Sequence, residues 1–244
     1  MTQTNGAATR TLEVHETWTK AGPVISHLPD ARVVELQEVS QASIGEPGPM
    51  SLFGFAVATL LVALPISGVL PEATTLAAIP ALLVFGGIGQ FIGGLVAYRK
   101  GNTFAATAFC SFGANNVVVS TFFLFQAIGV FPKTHDTMLF LAIDLFCFAF
   151  IAFVLFLASF ELNAAFLLVL LALFPGYGLA AVGNLDMPAV IGQIGGWFLI
   201  ISAGLAFYSG AALVLNSTYE RTVLPMFSRA HPAPPAAALS PTGR

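Results

Sequence analysis

The chain is 244 residues long, 57% hydrophobic and only 9% charged, with a net charge of −3 and two cysteines. A soluble domain carries about 25% charged residues, so this composition excludes an ordinary soluble fold. The small charge, split between tails and loops, gives no sign of a nucleic-acid partner and none is expected; two cysteines provide neither a disulfide framework nor metal-ligand spacing.

Residues 1–47 are polar and mixed in charge, with Pro, His and Glu but no strong period; 31–40 fits a short surface helix. No basic region followed by an apolar run marks a signal peptide. Six apolar stretches follow, near 51–70, 76–97, 104–130, 138–160, 163–183 and 190–215. Each approximates the ~20 residues that span a hydrocarbon core about 30 Å thick. Between residues 50 and 215 the charged side chains are Glu72, Arg99, Lys100, Lys133, Asp136, Asp144, Glu161 and Asp186, and all but Asp144 lie at gaps. A charge at mid-bilayer costs at least about 2.5–3.5 kcal/mol, which accounts for the pattern. The expected fold is all-α: a polytopic membrane protein with six transmembrane helices over 48–218. Tails at 1–47 and 219–244 flank it, the second reading as disordered after about residue 228 on its Pro and Ala content.

Orientation follows from the basic residues. With the N-terminus inside, the inner segments hold Arg10, Lys20, Arg32, Arg99, Lys100, Arg221, Arg229 and Arg244, and the outer ones only Lys133. Both termini are therefore expected to be cytoplasmic. The Asn216-Ser217-Thr218 sequon then lies on the wrong side for glycosylation and reads as chance.

Span two contains FGGIGQFIGG (85–94), whose glycines offer two faces for close helix approach, and span six opens with the similar IGQIGGW (191–197). Gln90 and Gln193 suit either interhelical hydrogen bonds or pore lining. Span three is the most polar: Thr103, Thr107, Ser111 and Asn115 recur every four residues, and Asn116 and Ser120 continue the polar character. Such a stripe suits a water-filled anion path, although hydroxyls can also bond neighbouring helices or their own i−4 carbonyls. Asn102 or Thr103 is positioned to cap that helix after Gly101, and with Arg99 and Lys100 adjacent the cap could also favour an anion. Asp144, about two turns into span four, is the candidate proton carrier or electrostatic gate; the alternative is a near-interface carboxylate facing water or a hydroxyl. Span five is expected to be broken at FPGYG (174–178), where Pro175 cannot donate to Leu171. Cys110 and Cys147 are expected to pack as small apolar groups.

EPGPMSLFGFA (46–56) resembles the N-P-x-P-x-G-L signature that opens the first helix of the acetate uptake transporter family, the bacterial succinate–acetate permeases and yeast acetate permeases. The positions that align with it include Glu46, Pro47 and Pro49, the two prolines matching in kind. YRKGNTFAATAFCSFGA (98–114), with Gly101 and Asn102, is similar to the family's second signature, and AVGN (181–184) and ERTVLP (220–225) match in place. The resemblance implies a six-helix protomer in a homo-hexamer, moving acetate and related small carboxylates, succinate among them, by proton coupling or channel-like permeation. It implies a location in the plasma membrane (a cell's inner membrane), lipid and carboxylate as partners, and no cofactor. It also implies an apolar constriction from spans one, three and four, carried over to Phe55, Phe112 and Phe153. Several positions depart from the pattern: Glu46 replaces Asn, Ser51 replaces Gly, Phe112 replaces the Tyr of S-Y-G, and Asn115 and Asn116 stand where bulky apolar groups are usual. The changed signatures also admit a sensor or scaffold without significant flux. An embedded enzyme is not expected, since His15, His27, His135 and His231 all lie outside the spans and no nucleophile–base cluster appears.

Overall fold

The computed structural model describes residues 44–185 and 187–227; the proposed surface helix at 31–40 and most of both tails lie outside them. Six helices long and apolar enough to cross a membrane make up the described part: α1 (Gly48–Ile66), α2 (Glu72–Arg99), α3 (Thr103–Ala127), α4 (His135–Ser159), α5 (Ala164–Gly183) and α6 (Ala189–Thr218). The chain is a multi-pass α-helical membrane protein.

Several helices start a few residues before their apolar stretch because polar caps carry the first turn. Asn102 accepts from Ala105 N at 3.0 Å, so the α3 cap is Asn102 rather than Thr103. Thr134 and Thr137 form a reciprocal capping box on α4, and Asn163 accepts from Phe166 N on α5. Helix α1 stops at Ile66, just after Pro65, and Gly68 turns the chain at φ +79°, so the apolar residues 67–70 are loop.

The expected break in span five is absent: α5 is uninterrupted through Pro175. One lost backbone bond is tolerated where the neighbouring turns remain paired. Irregularity appears instead in span two, where Leu82–Gly89 is a π-helical segment between regular α-helical turns. Its glycines resist regular winding least, and the widened turn leaves the Gly86 carbonyl to accept from Asn116 Nδ2 at 3.0 Å.

The helices pack in the ring order α3, α2, α1, α6, α5, α4, with α4 returning to α3 through a thinner contact. The two glycine motifs do the same job at two places. On α2, Gly54 and Ala58 of α1 crowd one side, while Gly94 presses on Cys110 N of α3, where an added Cβ would lie 2.6 Å away. On α6, Gly195 meets Ala180 N of α5 at a corresponding 2.5 Å, and Gly196 meets Ser67 after α1. Each motif sits on the helix wedged between two neighbours, where lipid supplies no hydrophobic effect and close packing must replace it.

The segment after α6 folds back on the bundle. Asn216 accepts from Val223 N and Leu224 N and donates to Leu224 O, and Tyr208 donates to Pro225 O at 2.7 Å. Asn216 thus serves as the tether of the ERTVLP ending. Cys147 is exposed on α4 rather than packed, while Cys110 is half-buried against Phe91 O.

Candidate functional site

Two cavities enter the ring from opposite ends. The first, about 280 Å³, opens where α1, α3 and α5 begin and is lined by Leu52, Phe55, Gln90, Phe112, Phe166 and Leu173 among others, with Glu46 and Asn102 at its rim. The second, about 830 Å³, lies at the other end and is lined by residues that include Val62, Val119, Gln126, Leu145, Ala180 and Gln193.

A wall about two turns thick separates them, and the helix registers identify it. Phe55 and Val62 face different cavities on α1, Phe112 and Val119 on α3, Leu173 and Ala180 on α5. The wall is what lies between and beside these: Phe112 meets Phe55 with ring centroids 5.8 Å apart, Phe148 of α4 at 6.1 Å, and stacks on Tyr177 of α5 at 6.0 Å with 6° between planes. Apolar rings at a waist exclude water until a partly apolar solute enters, which is how a dewetting gate works.

The structure therefore brings Phe55 and Phe112 together but not Phe153. That ring is exposed and packs edge-on against Phe174 at 5.5 Å, away from both cavities; the α4 aromatic on Phe112 is Phe148. The two differ by five residues, more than a full turn, so they point to different sides of the helix.

The polar stripe of span three is split in the same way. Thr103 is exposed, Thr107 and Ser111 are half-buried, and none of the three lines either cavity. The face that does so carries Ala105, Ala108, Phe109 and Phe112. A four-residue repeat drifts about 40° per step around a helix of 3.6 residues per turn. By Asn115 the stripe has turned inward, and Asn115 is 2% exposed, inside the wall. Asn116 and Gln90 are buried together, with Asn116 Nδ2 3.4 Å from Gln90 Oε1, so Gln90 is both an interhelical partner and a lining residue. Its Nε2 has no hydrogen-bond partner among the described residues and is a donor held beside the first cavity. Gln193 lines the second cavity, against Gly68.

Glu46, the carboxylate in place of an amide, accepts from Lys100 Nζ at 2.9 Å and from Gly48 N at 3.3 Å, tying the first turn of α1 to the loop before α3. Pro47 precedes that turn, Pro49 lies inside it, and Gly101 turns the α2–α3 loop at φ +71°. At the other end Lys133 pairs with Glu72. Ser51 is fully buried, its hydroxyl returned to Pro47 O. Asp144 is half-buried, with Oδ2 buried and lacking a partner among the described residues.

Tyr177 was not legible as a site residue, nor was Phe148. Tyr177 sits in the FPGYG run, where proline and glycine drew attention to the backbone rather than to the ring. Its side chain lies within hydrogen-bonding reach of Asn115 and within electrostatic range of Asp144. The hydroxyl that Phe112 lacks relative to S-Y-G is thus present at the wall, on the ring stacked against it.

Six apolar helices around two end cavities that meet at an aromatic waist define a membrane protein built to pass small solutes. The chain belongs to the GPR1/FUN34/yaaH family, whose model matches residues 31–228. It is 30% identical over 190 residues to the succinate-acetate/proton symporter SatP of Escherichia coli strain K12, covering 77% of this chain and 98% of that protein. An uncharacterized protein of Methanothermobacter thermautotrophicus is 27% identical over 197 residues, covering 78% of this chain and 95% of the relative. A solved structure of the bacterial acetate channel SatP superposes with a TM-score of 0.70 at 29% identity, over 75% of this chain and 99% of that one.

Proposed function

We propose that the chain carries acetate and related small carboxylates, with succinate as a further cargo, across a cell's plasma membrane. The observation that carries this reading is the paired arrangement of an unpartnered amide donor, Gln90 Nε2, with an aromatic waist at the foot of the same cavity. A donor without formal charge holds a carboxylate weakly enough to release it, while the rings suit its methyl end and refuse water. Kinship with a symporter of succinate and acetate and with an acetate channel supports the same cargo. We place both termini in the cytoplasm on the bias of basic residues, and propose that protomers assemble as a homo-hexamer. The hydroxyl stripe Thr103, Thr107 and Ser111, turned away from both cavities, suits contact with a neighbouring protomer better than contact with lipid.

The test is uptake of labelled acetate into proteoliposomes of the purified chain, corrected against empty vesicles. Protein-dependent flux supports the reading. No flux for acetate, succinate, lactate or formate would turn the assignment toward a sensor or scaffold.

The mouth of the first cavity offers a second measurement. Glu46→Gln removes the negative charge beside Lys100 and makes that mouth more positive. Half-saturation for acetate presented from that side should fall about two- to threefold at low ionic strength, the range of an exposed ion pair. The difference should fade in high salt, where screening shortens to about 3 Å at 1 M.

A further inference from the structure

Which end of the Gln90 amide is left for a solute is settled by a chain of hydrogen bonds that begins at a backbone carbonyl. After the π-helical segment of α2, Gln90 N donates to Phe85 O and Gly87 O, so Gly86 O misses the bond that a regular α-helix would give it. Gly86 O accepts instead from Asn116 Nδ2 of α3 at 3.0 Å. Glycine leaves room for this contact: a Cβ at position 86 would stand 3.1 Å from Asn116 Nδ2 and 2.3 Å from Ala58 Cβ. A carbonyl only accepts, so the Asn116 atom beside it must be the amide nitrogen. That nitrogen also lies 3.4 Å from the end of the Gln90 side chain, and since it donates, the atom it meets is the acceptor Oε1. Asn116 and Gln90 are 9% and 1% exposed, so bulk water does not compete for either. Nε2 is the end left over, without a partner among the described residues, on a side chain that lines the first cavity.

We propose that Asn116 is a positioning residue for cargo selection: by tying down Gln90 Oε1 it makes the first cavity offer a donor, and so favours carboxylates over amides of the same shape. This rests on the carboxylate-transport reading above. An untethered primary amide presents its oxygen as readily as its nitrogen. That oxygen repels a carboxylate but accepts from the N–H groups of an amide. The tether removes the ambiguity without placing a formal charge in the span, where a cation would be expensive. Loss of the Asn116 donor does more than release Gln90. Gly86 O becomes a buried acceptor without its side-chain partner, and the unpartnered donor one turn along the same helix is Gln90 Nε2. A buried acceptor left unmet is costly, so Nε2 turns to it and the cavity is left with Oε1. Specificity is thus set one side chain away from the cargo, by a residue that lines neither cavity.

Acetate and acetamide, alike in size and shape, are the probes. The purified full-length chain in proteoliposomes takes up labelled acetate, with empty vesicles subtracted and flux normalised to folded protein. Unlabelled acetate or acetamide is added as competitor. In wild type, acetamide should compete at least about tenfold more weakly than acetate, since hydrogen bonds to a charged acceptor are the stronger ones. Asn116→Leu, neutral and close in volume, should raise half-saturation for acetate about tenfold and leave maximal flux within about twofold. The same variant should bring acetamide level with acetate as a competitor. If Leu does not fold at this position, the more adaptable Asn116→Met carries the same expectation. A Gln90→Met background separates positioning from packing: there Asn116→Leu should shift half-saturation no further, because the group it positions is gone. Effects that add in the double variant, or an unchanged acetate-to-acetamide ratio in Asn116→Leu, overturn the proposal and leave carboxylate transport standing. Acetamide competing as well as acetate in wild type overturns it without any variant. No wild-type flux above empty vesicles overturns the transport reading and the proposal with it.

Discussion

Phe112→Ala should join the two cavities and raise protein-dependent equilibration of acetate about tenfold, with larger carboxylates gaining most. The ring touches Phe55, Phe148 and Tyr177 at once, so no other single side chain closes as much of the waist. Its removal leaves a gap that water can fill, because Asn115 and the Tyr177 hydroxyl are at hand to bind it. A gate that works by dewetting fails once its narrowest layer is wet. Truncating a buried Phe also costs about 3–5 kcal/mol of stability, so flux must be normalised to folded protein. Phe153→Ala is the control: that ring is exposed and packs on Phe174, and its loss should leave flux within about twofold of wild type. If flux rises in the Phe153 variant and stays flat in the Phe112 variant, the waist is misplaced.

Charge placement and span length made the six helices legible, because lipid enforces both along the chain and neither depends on tertiary contacts. The glycine motifs were legible as close-approach faces for the same reason: a missing side chain is a local fact with one use in lipid. What could not be read was direction around each helix. Thr103, Thr107 and Ser111 share a sequence period with Asn115, but the drift of that period spreads the four from the periphery to the wall. The choice of Phe153 over Phe148 has the same origin. Span four holds aromatic residues on every side, so period alone does not say which face meets α3. Tyr177 was hidden by a different effect, since Pro175 suggested a break and α5 passes through it unbroken. Asp144 was singled out because a lone carboxylate within a span is conspicuous in any register; that its Oδ2 is buried and without a hydrogen-bond partner among the described residues required the fold.

Gly113→Val should damage the bundle severely, although it changes neither charge nor polarity. A Cβ at position 113 would stand 2.6 Å from Phe91 N and 2.9 Å from Phe91 Cα, both backbone atoms of α2. Backbone cannot turn aside as a side-chain tip can, so α2 and α3 must separate. Overpacking a tight core costs about 1–3 kcal/mol where side chains can adjust, and here the cost should reach or exceed the top of that range. Separation would also draw Asn116 off Gly86 O and disturb Gln90, the donor beside the first cavity. Gly178→Ala makes the contrast, since nothing lies within 4 Å of the added methyl and the position is helical. It should gain about 0.5–1 kcal/mol from the better helix former and keep its transport. Thermal unfolding in detergent, followed by loss of the monodisperse chromatographic peak, compares the two directly. Equal melting of Gly113→Val and wild type would mean that α2 and α3 do not meet backbone to backbone, and the position assigned to Gln90 would fall with that contact.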